Sequence, residues 1–260
     1  MHDIAVIVAN RNNSRFLGQC LDSILSQSLK AQEIVVVDDA STDDSVARLA
    51  PYVRDGAITL VQNETQQGVA ASRHLAICRS RATYITTLDA DDFYTGKEKL
   101  AAEAETLGPG SSRGRIAFSD VLRVDEAGNP TEMISQRRKV REGNLSFDIP
   151  HLHGFIPRDY LVSREDYLAA GGFDTSLRIY EDWDLKIRLS QICTWHFSGV
   201  VGTAYRNNPH GLSRAQSSEH VRTMRMIFSK YTRSRQPLSR AWAQARFFVY
   251  HSLYLRRPAF

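Results

Sequence analysis

Two hydrophobic periods alternate across the first hundred residues of this chain, and few architectures accommodate both. Short β-branched runs lie at residues 4–9 (IAVIVA), 34–38 (IVVVD), 58–61 (ITLV) and 84–89 (YITTLD), each with the length and composition of a strand. Between them Leu17, Leu21, Ile24 and Leu25 share one helical face, and Ala70, His74 and Ile77 share another. Ser41, three residues before Asp44, is expected to cap a helix after the second run. Strand, helix, strand in succession requires right-handed crossovers and a mostly parallel sheet, and strands this apolar need helices on both faces. The expected fold class is therefore α/β. Sheets of this kind bind ligands beyond the carboxyl ends of their strands, where two of these strands end in acidic clusters: Asp38-Asp39 and Asp89-Ala90-Asp91-Asp92.

At 260 residues the chain can bury a substantial core as one large domain or two small ones. It contains no apolar stretch of about 18 residues, and its start, MHDIAVIVANRNN, breaks too early for a secretory signal. The expected location is cytoplasmic, with contact at the inner face of the membrane held open. Cys20, Cys78 and Cys193 are far apart and show no CxxC spacing, so they read as buried thiols rather than a disulfide frame or zinc site. The net charge of +4 conceals an asymmetry: residues 1–109 carry 10 basic and 15 acidic side chains, whereas residues 214–260 carry 10 basic side chains and only Glu219. Residues 108–114 (GPGSSRG) read as a loop, short strands are expected at 115–124 and 131–136 around a Gly128-Asn129 turn, and the last forty residues return to helical patterns.

An extended chain puts residues i and i+2 on one side, so Asp89 and Asp91 can both point into one cleft. Mg and Mn take hard oxygen ligands, commonly one or two carboxylates with water and phosphate. An isolated acidic pair is more often a solvated turn; the position at the binding edge, with a second acidic pair nearby, favours a cation. Asp38 and Asp39 can accept bonds from a base N–H or ribose hydroxyls, or belong to a capping turn with Ser41 or Asp43. Glu181-Asp182-Trp183 enter a helix with Leu185, Ile187 and Leu189 as packing positions; two acids there suit the helix dipole as well as they suit catalysis. Arg73 is evenly a surface charge or a ligand contact, and Trp183 evenly a core residue or an acceptor platform. His151 and His153 form an HxH that lacks further metal ligands.

The segments VIVANRNNSRFLGQCLDSILSQSLKAQEIVVVDDASTDDS and NETQQGVAASRHLAICRSRATYITTLDADD, in this order and spacing, resemble the opening of family 2 glycosyltransferases of the GT-A fold. The resemblance implies a GT-A, Rossmann-like catalytic domain over residues 1–213, with a nucleotide-binding half at 1–109, an acceptor-binding half at 110–213, and a helical C-terminal extension at 214–260. It implies inverting transfer from a nucleoside-diphosphate sugar, UDP favoured, to a saccharide or lipid-linked saccharide acceptor, with Mn2+ or Mg2+ as cofactor. By position, Ala9, Asn10, Arg11, Asp38, Asp39, Gly68, Arg73 and Asp89 are expected to hold the donor, Arg11 standing where the family commonly has an aromatic residue. Asp91 and His210 are expected on the metal, and Arg206 near the diphosphate. Asp182 is expected as the base, with Glu181 beside it, and Trp183 on the acceptor.

A sugar nucleotidyltransferase would be expected to show a Gly-rich basic loop near the N-terminus, which ANRNNSRFLGQ lacks; a non-catalytic nucleotide-sugar-binding module would not need the acids at 181–182. For the basic tail, docking on the body ranks first, a peripheral membrane contact second and nucleic acid a distant third, so no nucleic-acid partner is expected.

Overall fold

The computed structural model describes residues 3–109, 113–134, 142–151, 159–209, 211, 217–232 and 245. The N-terminal half runs β1 (Ile4–Asn10), α1 (Ser14–Leu25), β2 (Glu33–Asp38), α2 (Ser45–Arg54), β3 (Thr59–Gln62), α3 (Val69–Arg79) and β4 (Tyr84–Asp89). After it come β5 (Phe93–Tyr94), α4 (Lys99–Leu107), β6 (Arg115–Val124), β7 (Pro130–Ile134), a 3-10 turn (Ile149–His151), β8 (Tyr160–Ser163), α5 (Arg164–Ala169), α6 (Glu181–Ile192), β9 (Thr194–Arg206) and α7 (Ser217–Thr232).

The central strand β1 shows why the sheet has two covered faces. Its side chains alternate, so Ile4, Val6 and Val8 join Leu17, Leu21 and Ile24 of α1, Leu49 of α2 and Leu100 of α4 on one face. Ala5 and Ile7 join the opposite core, which contains Ala76 and Ile77 of α3, Leu185 and Ile187 of α6, and Met224 and Ile227 of α7. An apolar strand with no polar alternation is stable only where both faces are dry.

The strand order is β3-β2-β1-β4-β8-β6-β9-β5, with β7 on β6. β3, β2, β1 and β4 are parallel, as the crossover pattern requires. In the second half β6 and β9 pair in parallel, as expected, but β6 and β7 form a hairpin, β8 runs antiparallel to both β4 and β6, and β5 antiparallel to β9, so the sheet is mixed. β4 meets β8 only at Tyr84 and Ile85. Beyond that point, among the described residues, Thr86 to Asp89 pair with β1 alone, and the sheet opens beside Asp89.

Ser41 does not cap α2. The helix starts at Ser45, whose N–H is accepted by Asp43 Oδ1 at 3.0 Å. The Ser41 hydroxyl instead donates to Asp38 Oδ2 at 2.7 Å, closing a turn that places Ala40 in the left-handed region at φ +56°. Cys20 and Cys193 are buried, but Cys78 is exposed, because it lies on the outer side of α3. The expected strand at 131–136 is seen to Ile134, its last two positions lying outside the described residues with His153 and residues 233–244 and 246–260. Among the described residues no helix is long and apolar enough to cross a membrane.

Candidate functional site

The C-terminal ends of β1, β2 and β4 lie side by side, with Ala9 opposite both Val37 and Asp89 in the parallel register. This brings the two acidic clusters to one edge. Carboxylate oxygens of Asp89, Asp91 and Asp92 fall within 4.8 Å of one another. Like charges this close favour a hard cation between them, and an all-oxygen donor set fits Mg2+ or Mn2+. The three acids differ in freedom. Asp92 is buried and accepts the backbone N–H of Arg206 at 2.8 Å, fastening the end of β9. Asp91 Oδ2 accepts Asn208 Nδ2 at 2.8 Å, which orients the carboxylate. Asp89 and Asp91 are half-buried and are the residues suited to hold the cation.

Arg73 carries this cluster to a second acidic pair, distant in sequence. From α3 its guanidinium donates to Asp89 Oδ1 and to Glu181 Oε1, the latter at 2.9 Å, while facing the Phe173 ring at 5.8 Å. Arg73 is 7% exposed, so it is not a surface helix charge. The neighbouring acids have different surroundings. Burial pushes the Glu181 carboxyl up to about 7, the Asp182 charge adds to this, and Arg73 opposes it. The Asp182 side chain is 45% exposed and meets Lys186 Nζ at 2.9 Å. The turn that delivers this pair is packed tightly. Gly172, at φ +65°, lies so close to His74 that an added Cβ would come within 2.7 Å of its ring. His74 in turn pairs with the Tyr167 hydroxyl at 2.7 Å.

Where β1 and β2 end, Asn10 Nδ2 donates to Asp38 Oδ2 at 2.7 Å. Asp39 Oδ1 accepts Asn63 Nδ2 at 2.8 Å and the Gln67 N–H at 2.7 Å, and its Oδ2 accepts the Gly68 N–H at 2.8 Å. Both aspartates are thus buried and bonded to protein. They shape the β2 and α3 loops first, and any ligand bond is additional. Gly68, at φ +93°, has open space where a side chain would project, so backbone forms the wall there. Arg11 is half-buried at the end of β1.

Two expectations are corrected. Arg206 is not a free cation beside the acidic cluster: its Nε donates to the Asp91 carbonyl at 2.7 Å, Nη1 to the Glu126 carbonyl at 2.6 Å and Nη2 to Gln19 Oε1 at 2.5 Å. With its guanidinium 4.7 Å from the Phe16 ring, it is a buried clamp under the acidic loop. Trp183 is 1% exposed and donates Nε1–H to the Ile149 carbonyl at 2.8 Å, so it is core and lines no acceptor cleft. His210 lies outside the described residues. Sequence reasoning passed over Asn208, whose contact with Asp91 spans 117 positions and leaves no local signal.

Comparison with known proteins gives matches throughout the chain. The family model "Glycosyl transferase family 2" matches residues 5–161. Succinoglycan biosynthesis protein ExoU of Rhizobium meliloti is 30% identical over 205 residues, 72% of this chain and 56% of that protein. The uncharacterized glycosyltransferase EpsJ of Bacillus subtilis is 28% identical over 224 residues, 81% of this chain and 62% of that protein. The chain therefore spans a little over half the length of these relatives. Among solved structures, Staphylococcus aureus TarS residues 1–349 in complex with UDP-GlcNAc superposes with a TM-score of 0.73 at 17% identity, covering 99% of this chain and 76% of that one. Pyrobaculum calidifontis mannosyltransferase PcManGT, in complex with GDP-Man and Mn2+, gives 0.65 at 18% identity, covering 99% and 76%. These likenesses establish the GT-A fold.

Proposed function

This chain belongs to glycosyltransferase family 2, and from that premise we propose that it transfers a sugar, with inversion, from a UDP-sugar to an acceptor hydroxyl in surface-polysaccharide or glycolipid synthesis. The observation that carries the reading is the Arg73 bridge. It joins Asp89, at a strand end suited to a nucleotide diphosphate, to Glu181, next to an acid with half its side chain in solvent.

In this reading the GT-A catalytic domain extends through residue 213. Asn10, Arg11 and the Asp38 and Asp39 loops cradle the base and ribose, with the Gly68 backbone alongside. Asp89 and Asp91 would hold Mn2+ or Mg2+, which when bound would compensate the negative charge of the leaving diphosphate. Asp182 takes the proton from the acceptor hydroxyl. The acceptor oxygen then bonds to the anomeric carbon while the bond from that carbon to the diphosphate oxygen breaks, releasing the nucleoside diphosphate. Glu181, held by Arg73, keeps the base beside the donor. The relatives support the acceptor class through succinoglycan synthesis, and UDP is favoured by the TarS likeness.

The test is turnover of UDP-sugars with Mn2+ by the parental chain and by Asp182→Asn. Loss of a general base lowers the rate by about 10²–10⁴-fold. Donor affinity should stay within a few-fold. Transfer by Asp182→Asn at the parental rate would refute the base assignment.

A further inference from the structure

A fully buried carboxylate sits on α6 two residues beyond Asp182, and the function proposed above gives it no role. Asp184 is 0% exposed, and among the described residues its carboxylate accepts from cationic and hydroxyl donors. Oδ2 accepts Arg188 Nε at 2.9 Å and Nη2 at 2.7 Å within its own helix. Oδ1 accepts Lys230 Nζ at 2.9 Å and the Tyr231 hydroxyl at 2.6 Å, both from α7. A second tie lies just before the acid pair. Tyr180, the residue preceding α6, holds a left-handed φ of +64°, and its hydroxyl meets His220 Nδ1 of α7 at 2.9 Å. Between these ties Met224, Ile227 and Phe228 of α7 are buried in the core that includes Trp183.

The two ties bracket Glu181 and Asp182. Arg188 satisfies Oδ2 from within α6, but a buried oxygen left without donors costs about 1–3 kcal/mol, so Oδ1 holds Asp184 to Lys230 and Tyr231. A residue held at positive φ needs support from outside its own backbone, which His220 supplies to Tyr180.

We infer that α7 is the positioning element of the acid pair. Lys230, Tyr231 and His220, acting through Asp184 and Tyr180, set the rotation of the first turn of α6 and hence where Asp182 points. The three α7 side chains act through Asp184 and Tyr180, so they are positioning residues. The inference rests on the sugar-transfer reading for its kinetic consequence and on hydrogen exchange for its mechanical one.

The experiment uses the 260-residue chain with Tyr231→Phe, Lys230→Met and Lys230→Arg, and Ile227→Val as a control that weakens α7 packing without touching either tie. A displacement of about 1 Å at a reacting group can cost up to about a hundredfold. Tyr231→Phe and Lys230→Met should therefore lower kcat about ten- to a hundredfold with donor KM within about twofold of parental, and Lys230→Arg should recover most of the loss. Amides 182–186 should exchange faster in the first two variants and not in Ile227→Val. A kcat within twofold of parental in folded Tyr231→Phe and Lys230→Met would overturn the inference. So would a comparable kcat loss in Ile227→Val at matched Tm. A parental chain that transfers no sugar defeats the proposed function instead, and exchange at 182–186 then decides the tie: equal rates in Tyr231→Phe and Ile227→Val remove it.

Discussion

Replacing Glu181 with Gln should change how stability depends on pH more than it changes stability itself. The Glu181 carboxyl is 7% exposed, and burial, reinforced by the charge of Asp182, raises it from its ordinary value of 4.5 to about 7. At about 1.36 kcal/mol per pH unit, that separation corresponds to about 3 kcal/mol. Its sign follows from proton counting. Between pH 4.5 and about 7 the native state binds the proton that the unfolded state has released, so unfolding free energy falls as pH rises. The contribution is complete below the unfolded value and is lost through the folded one. Glu181→Gln has no such proton. Its urea-unfolding curve, measured in EDTA from pH 4.5 to 8, should therefore lack this decline, and the variant should gain about 3 kcal/mol on the parent across the window. At about 2–4 °C per kcal/mol for a chain of this size, the Tm difference between the two should change by on the order of 6–12 °C. Parallel parental and variant profiles would refute the reasoning, since they would mean that Glu181 titrates alike in both states.

Asp91→Ala should abolish the Mn2+-dependent part of the thermal shift produced by UDP, a shift expected because a ligand bound only by the folded state raises Tm; thermal-shift measurement with and without EDTA checks it. Arg206→Met strips donors from two backbone carbonyls and from Gln19, and should cost on the order of 3 kcal/mol in denaturant unfolding. Ala40→Gly removes a left-handed cost of about 1–2 kcal/mol against a glycine entropy penalty of about 0.5–1 kcal/mol. Calorimetry should find it neutral to about 1 kcal/mol more stable.

The parallel half of the fold was legible because β1 and β2 are β-branched runs whose apolar character is continuous, which calls for helices on both faces, and β4 has strand length and ends in an acidic cluster as β2 does. The mixed half was not, because β8 is four residues long and owes its place to pairing with β4 and β6 rather than to its own pattern. The same division runs through the site. Asp89, Asp91 and the acids at 181–182 could be nominated from sequence because strand ends and helix starts are local features. Arg206 was misassigned because a basic residue near an acidic loop reads the same whether it meets phosphate or carbonyls. Only the fold shows that Asp91, Glu126 and Gln19 surround it. Trp183 lost its acceptor role for a similar reason, its N–H being satisfied by Ile149 across 34 positions. Asp184 sits in the same EDWD run as the acids that were named, and nothing local distinguishes a carboxylate destined for Lys230 and Tyr231.

The clamp on the acidic loop also sets an order of assembly during synthesis. Asp92 is anchored by a residue 114 positions downstream, and Asp91 by one 117 positions downstream. At about 5–20 residues per second, on the order of ten seconds separate translation of the acidic loop from translation of its anchors. A nascent chain halted before Arg206 holds β1 to β4 and every acid of the cluster, but not the strand end that seats them. Ribosome-bound intermediates of this length should therefore carry the whole acidic cluster before the strand end that seats it and before α7, which covers the Ala5 and Ile7 face of β1.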